Sequence, residues 1–322
     1  MREGVVSAAL LGALLAFGLG AWALGEVFFV NLAARVACVA LAGAGLNLAL
    51  GFGGMVSFGH AAFFGLGGYA AGIAATHAFD GGAFAGVLPG TTSMPVVWLA
   101  AMLAAGLAAL PIGLISLRTQ GVYFIMITLA FAQMIFYFAI SFPAYGGEDG
   151  LPIYLRSELP LVDASDPLDF FLVSFALLVA VLLGCRTVLA ARFGAALALA
   201  RLNPVRLATA GIAPLPVLLA AFVASAMIAG LAGALFAELN GFVSPAMLSW
   251  HRSGEIMVIV ILGGVGRLAG PVAGAMLFVA LETVIGGWTQ YWQGWLGLIL
   301  LGVVLFARGG LIGALAGPVR HG

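Results

Sequence analysis

The chain has 322 residues, of which 64% are hydrophobic and only 7% charged, with 12 basic residues balanced by 12 acidic ones. A soluble domain typically carries about 25% charged residues, so this composition excludes an ordinary soluble globule. Apolar runs recur along the whole length and a bilayer-spanning helix needs about 20 such residues; the expectation is an all-α polytopic membrane protein.

Met1-Arg2 opens an apolar run to Ala23 in which Ala21-Trp22-Ala23 resembles a small-residue cleavage site. The run is of spanning length and more spans follow, so it is read as an uncleaved first span over 5–25 rather than a signal peptide. Pro, Gly and charge punctuation place the next spans near 27–50, 55–76, 94–117 and 120–142. An acidic segment, 143–167, follows. Spans near 168–190, 215–238, 253–266, 270–286 and 292–308 complete the chain, with a basic segment at 192–217. The 253–266 run is short enough to be a half helix, so the expected count is 8 to 10 in a single domain, 1–322. Cys38 and Cys185 both fall inside apolar runs and read as packing residues.

There is no Lys, and the arginines distribute unevenly. With the N-terminus inside, the inner segments hold Arg2, Arg118, Arg186, Arg192, Arg201, Arg206, Arg267, Arg308 and Arg320, against Arg156 and Arg252 outside. That bias fixes the expected orientation, N-terminus cytoplasmic. Arg35 lies within a span, near enough to its outer end to snorkel. The outer segment 143–167 carries Glu148, Asp149, Glu158, Asp163 and Asp166; a solvated loop and a docking surface for an external partner both fit.

LAGAGLNLALGF (Leu41 to Phe52) aligns without a gap on LAGALFAELNGF (Leu231 to Phe242), six of twelve positions agreeing. MVSF at Met55 to Phe58 then parallels MLSW at Met247 to Trp250 after a two-residue slip. The first copy closes an inward-running span and the second an outward-running one. Two inverted five-helix halves, about 1–142 and 168–308, are therefore expected, the pattern of transporters with their site at the repeat interface.

The glycine-rich stretch around Asn47, Ser57, Gly59 and His60 fits either a helix break or close backbone contact. Ser57 caps the third span and His60, one turn into it, faces a neighbouring helix in one reading. In the other these residues line a path, since polar groups in a membrane must face protein or water. On the fifth span, Tyr123, Thr128 and Gln133 drift over more than one face; Thr128 suits a bond back to its own helix, and Gln133 an interhelical bond or a water-filled channel.

Every Asp maps to a loop or the edge of a span, and Ser253-Gly254-Glu255 resembles a helix start. HExxH, paired metal-ligand spacing and GxSxG are all missing, as is a GxxxxGK[ST] phosphate loop, impossible without Lys. The chain is expected not to be an enzyme and to bind no cofactor or metal. Energy would enter through 192–217: an Ala-rich surface helix with Arg192, Arg201 and Arg206 on one polar face, a break at Asn203-Pro204 and a stop at Gly211. A purely basic topogenic loop is the alternative.

The segments VSFGHAAFFGLGGY (56–69), GVYFIMITLAFAQ (121–133), GGEDGL (146–151), NPVRLATAGI (203–212), AFVASAMIAGLAGAL (221–235), GFVSP (241–245), SGEIMVIVILGGVGRLAGPVAGA (253–275) and LFARGGLIG (305–313) resemble, in order, signatures of branched-chain amino-acid ABC-transporter permeases of the LivM type. Glu148 and Arg308-Gly309 depart from the usual pattern. The resemblance implies a subunit of an ATP-driven importer in a bacterial inner membrane. Its partners would be a second related permease, two cytoplasmic ATPases that use the ATP, and a periplasmic solute-binding protein. The segment 192–217 would then be the coupling element, carried by Arg192, Arg201, Asn203, Arg206 and Gly211. The rivals are a urea or short-amide permease, a self-sufficient secondary carrier or channel, and an intramembrane enzyme.

Overall fold

The computed structural model describes residues 2–84, 88–159, 166–289, 291–306 and 309–316. Asp163, Arg308 and Arg320 lie outside the described residues. In chain order the helices are α1 (Arg2–Ala23), α2 (Val27–Asn47), α3 (His60–Asp80), α4 (Met94–Ser116), α5 (Val122–Ile140) and α6 (Pro167–Ala190), then α7 (Arg192–Leu202), α8 (Pro204–Thr209) and α9 (Pro214–Asn240). After them come α10 (Trp250–Gly263), α11 (Gly270–Gly286), α12 (Trp292–Phe306) and α13 (Gly310–Ala316). Four two-residue strands, β1 (Ala83–Phe84), β2 (Leu88–Pro89), β3 (Leu151–Pro152) and β4 (Phe242–Val243), pair as β1–β2 and β3–β4, both antiparallel. The protein is an all-α polytopic membrane protein: each of the ten expected spans corresponds to a helix, and among the described residues six helices are long and apolar enough to cross a bilayer.

α2 and α9 form the centre. From Val36 to Gly51 every residue is buried, because α2 packs on α1, α6, α9, α10 and α11. A helix enclosed on all sides has no polar face, which is why its sequence shows no amphipathic period. α9 packs against α2, α3 and α4, and the contacts are backbone to backbone. A Cβ at Gly67 of α3 would overlap the Gly230 carbonyl, and one at Gly233 of α9 would overlap that of Phe64. Small residues let helices approach this closely where lipid supplies no hydrophobic drive. α5 is peripheral, burying only Phe124, Thr128 and Ala132, a stripe at four-residue spacing.

Several expectations need correction. The third span starts at His60, not near 55: α2 runs on through a π turn at Leu48–Phe52, and 53–59 is largely irregular. The α3 N-cap is Gly59, and Ser57 Oγ instead accepts from the Gly59 N–H at 3.1 Å. His60 is therefore the first helical residue rather than one turn in. The Ser253-Gly254-Glu255 run is not a helix start either, since α10 begins three residues earlier behind Ser249. Arg35 does not snorkel. It forms a two-oxygen ion pair with Glu282 of α11, at 2.8 and 2.9 Å, a contact across 247 residues that no local pattern announces.

The segment 143–159 is not a free loop. Leu151 and Ile153 are buried, β3 is clamped by β4, and Ser93 bridges to Glu158, while Glu148, Asp149 and Glu158 remain exposed. On the opposite side of the molecule, Val6 and Leu10 of α1 pack against Ala269, Ala273 and Ile312. The π turn, α7 and the α10–α11 turn gather there too. The N-terminal turn of α1 and the basic segment thus share one side.

Candidate functional site

The basic segment folds as a broken pair of short helices. Asn203 in extended conformation ends α7 and caps α8, its Oδ1 accepting from the Arg206 N–H at 3.0 Å. Pro204 occupies the first position of α8, where a missing N–H costs nothing. Gly211, at φ +83°, turns the chain out of α8 through a left-handed conformation that other residues resist. Leu197 and Leu207 are buried and hold the pair to the body.

The three arginines do not share one polar face. Nine residues at about 100° each set Arg192 and Arg201 on opposite sides of α7, and the break moves Arg206 to a second helix. Arg192, Arg201 and Arg206 are all exposed, and the Arg201 guanidinium in addition donates to the carbonyl of Gly51, in the π turn that ends α2. Between Arg201 and Arg206 the tip also exposes two apolar side chains: Leu202 is 80% exposed and Val205 70%. Sequence reading passed over both because they look like ordinary interior residues; their signal was their place beside the Asn203-Pro204 break.

Gly51 is also where Asn47 acts. One turn earlier on α2, Asn47 Nδ2 donates to the Arg267 carbonyl at 2.8 Å while its Oδ1 accepts from Gly266 N–H at 2.9 Å. A buried amide using both ends on one turn is a clamp, and it fixes the α10–α11 connection against α2. A Cβ at Gly51 would overlap the Asn47 side chain, so only glycine lets the three segments meet. Arg267 is buried beside them and donates to the Ile312 carbonyl at 3.2 Å.

His60, Ser57 and Gly59 form a second group, deeper in the bundle. Ser225 Oγ of α9 donates to the Gly45 carbonyl at 2.6 Å and lies 2.7 Å from His60 Nε2. That bond uses the hydroxyl's one proton, so the imidazole donates through Nε2–H. His60 Nδ1 is then a bare acceptor and has no hydrogen-bond partner. Phe63 and Phe222 meet the ring edge-on. A Cβ at Gly59 would sit 3.0 Å from the Thr128 carbonyl of α5, making Gly59 a helix-contact position. Thr128 bonds back to Ile125 of its own helix at 3.0 Å. Gln133, farther along α5, stands apart from this group with its buried Oε1 unpartnered.

A model of the family described as branched-chain amino acid transport system, permease component, matches residues 28–308. The chain belongs to this permease family. It is 26% identical, over 307 aligned residues, to the high-affinity branched-chain amino acid transport system permease protein LivM of Escherichia coli K12, an alignment covering 88% of this chain and 69% of that protein. The LivM protein of Salmonella typhimurium LT2 matches with the same identity and coverage. No solved structure matches. The matched stretch takes in the clamp, the histidine group and the basic segment of the permease, and leaves out α1.

Proposed function

We propose that this permease is the membrane subunit of an ATP-driven importer of branched-chain amino acids, paired with a second related permease and powered by two separate ATPase subunits. A solute-binding protein delivers the cargo to the side that carries 143–159. The chain itself binds no nucleotide; its partners use the ATP. The side holding α7, α8 and the start of α1 faces the cytoplasm, as the arginine distribution favours. The two inverted halves pivot about the α2–α9 contact, where a Cβ at Gly45 would lie 2.8 Å from the Ser225 carbonyl and which joins the two helices that carry the repeated sequence.

The observation that carries the reading is the α7–α8 knob. It projects Leu202 and Val205 outward and is tied inward, through Arg201, to the end of α2. An exposed apolar tip suits a groove on a motor subunit, and the tether suits transmission of its movement. Arg192, Asn203, Arg206 and Gly211 shape the knob, and Arg201 transmits.

Val205→Glu and Arg206→Glu, made in the assembled importer, test this. An interface anchor is worth about 2 kcal/mol, so each should weaken association with the ATPase by about thirtyfold and lower ATP-dependent leucine uptake while the permease stays inserted. Unchanged uptake and unchanged co-purification with the ATPase would overturn the coupling role. Concentrative uptake by the permease alone, driven by an ion gradient, would overturn the whole reading.

A further inference from the structure

The start of α10 carries an ion pair that neither the knob nor the histidine group explains. Arg252 Nη1 meets Glu255 Oε2 at 2.7 Å, with side-chain exposures of 19% and 27%. The guanidinium lies 4.7 Å from the Phe236 ring centre and 5.6 Å from that of Phe64. The pair faces a narrow cleft whose other walls include Val39 and Ala42 of α2, Phe64 of α3 and Ile259 of α10. Positions 35, 39 and 42 lie on one face of α2, so the Arg35–Glu282 pair stands on the same face, nearer the end of α2 at Val27. Side-chain exposures there are 31% and 21%. Four charged groups, all partly open, thus stand along α2, α10 and α11 inside a bundle that crosses the membrane. Charges at that depth are costly against lipid and belong against protein or water.

We infer that the Arg252–Glu255 pair is a cargo-reading site that accepts a zwitterionic amino acid, the cargo carboxylate on Arg252 and its ammonium on Glu255, with the aliphatic wall of α2 and α10 receiving the side chain. The inference rests on the cargo class proposed above. An amino acid with an uncharged side chain brings one negative and one positive group on neighbouring atoms, so it replaces each partner of the pair with an equivalent charge. Net charge in the cleft does not change. The guanidinium offers a two-pronged fit to a carboxylate, and the aromatic faces of Phe64 and Phe236 hold it in place while its partner is exchanged. The cleft as it stands has room for about one water molecule, so cargo enters only when α10 moves away from α2, as in a transport cycle that opens and closes.

The test uses the assembled importer in proteoliposomes with L-leucine as probe. Arg252→Gln and Glu255→Gln should each cut ATP-dependent uptake by roughly tenfold or more, the effect of losing a charged hydrogen bond, with assembly yield held at the wild-type level. The exchanged pair, Arg252→Glu with Glu255→Arg, separates a binding role from a structural one. It restores an ion pair but reverses the order in which the cleft meets carboxylate and ammonium, so uptake should stay low. Recovery of uptake in the exchanged pair would show a structural bridge only and overturn the inference, as would full uptake in either single variant. If the wild-type importer takes up no leucine at all, the cargo class falls and this inference falls with it; wild-type uptake with indifferent variants removes this inference alone.

Discussion

The joints leading from α2 into α3 and from α9 into α10 follow related sequences and are built differently. The first runs through a π turn and an irregular glycine-rich stretch and opens α3 with a fully buried His60 bonded to Ser225. The second turns on Gly241 at φ +62°, passes through β4 and a 3-10 turn, and opens α10 with a half-open ion pair. The two new helices meet directly, the Ala61 N–H donating to Ser253 Oγ at 2.9 Å. One joint is dry and tightly packed; the other keeps charge within reach of solvent. A similar sequence therefore need not mean a similar build: the first joint is closed by packing, and the second leaves an ion pair partly open.

The sharpest way to break this comparison is at the equivalent positions Gly59 and His251, which precede His60 and Arg252. Gly59 abuts the α5 backbone, whereas His251 is exposed. Gly59→Leu should abolish recovery of folded, monodisperse permease, because overpacking against backbone costs about 1–3 kcal/mol or more and α5 has only a narrow buried stripe to lose. His251→Leu should leave the yield within a factor of two. Equal yields from both variants would remove the distinction between the joints.

A smaller effect is expected at the clamp. Asn47→Ala leaves the Gly266 N–H and the Arg267 carbonyl without their side-chain partner, at about 1–3 kcal/mol for each buried group left unsatisfied. The thermal midpoint of the purified permease should fall by several degrees, and with Asn47→Asp, which keeps the acceptor but turns a second carboxylate oxygen onto the Arg267 carbonyl, it should fall at least as far. The smallest effect belongs to the histidine group. Interhelical hydrogen bonds in membranes are worth about 0.6–2 kcal/mol, so Ser225→Ala and His60→Phe should each cost about 1 kcal/mol and leave leucine uptake nearly intact. Loss of uptake in a stable His60→Phe protein would move this group from anchor to path.

How far the residues alone disclosed this can be read from the same places. The helices behind all ten expected spans, the break at Asn203-Pro204 and the turn at Gly211 are legible, because apolar length, a missing N–H and a left-handed φ are local properties. Composition says that 53–59 tolerates lipid, but not that it is irregular, so the start of α3 was placed too early. Partners distant in sequence were out of reach. Arg35 with Glu282, Asn47 with Gly266 and Arg267, and Arg201 with Gly51 each join segments whose adjacency follows only from the packing of helices. Glu255, by contrast, stands three residues from Arg252, a spacing that marks a helical ion pair once the helix start is known.

At Gly51 three separate stretches of chain are knotted together: the guanidinium of Arg201 holds the carbonyl, and Asn47, a turn away, grips the connection between α10 and α11. A tug on α7 is therefore not absorbed locally. It loads the end of α2 and the α10–α11 connection at once, so one short helix is tied to stretches of chain far apart in the sequence, with no long chain of intermediates between them.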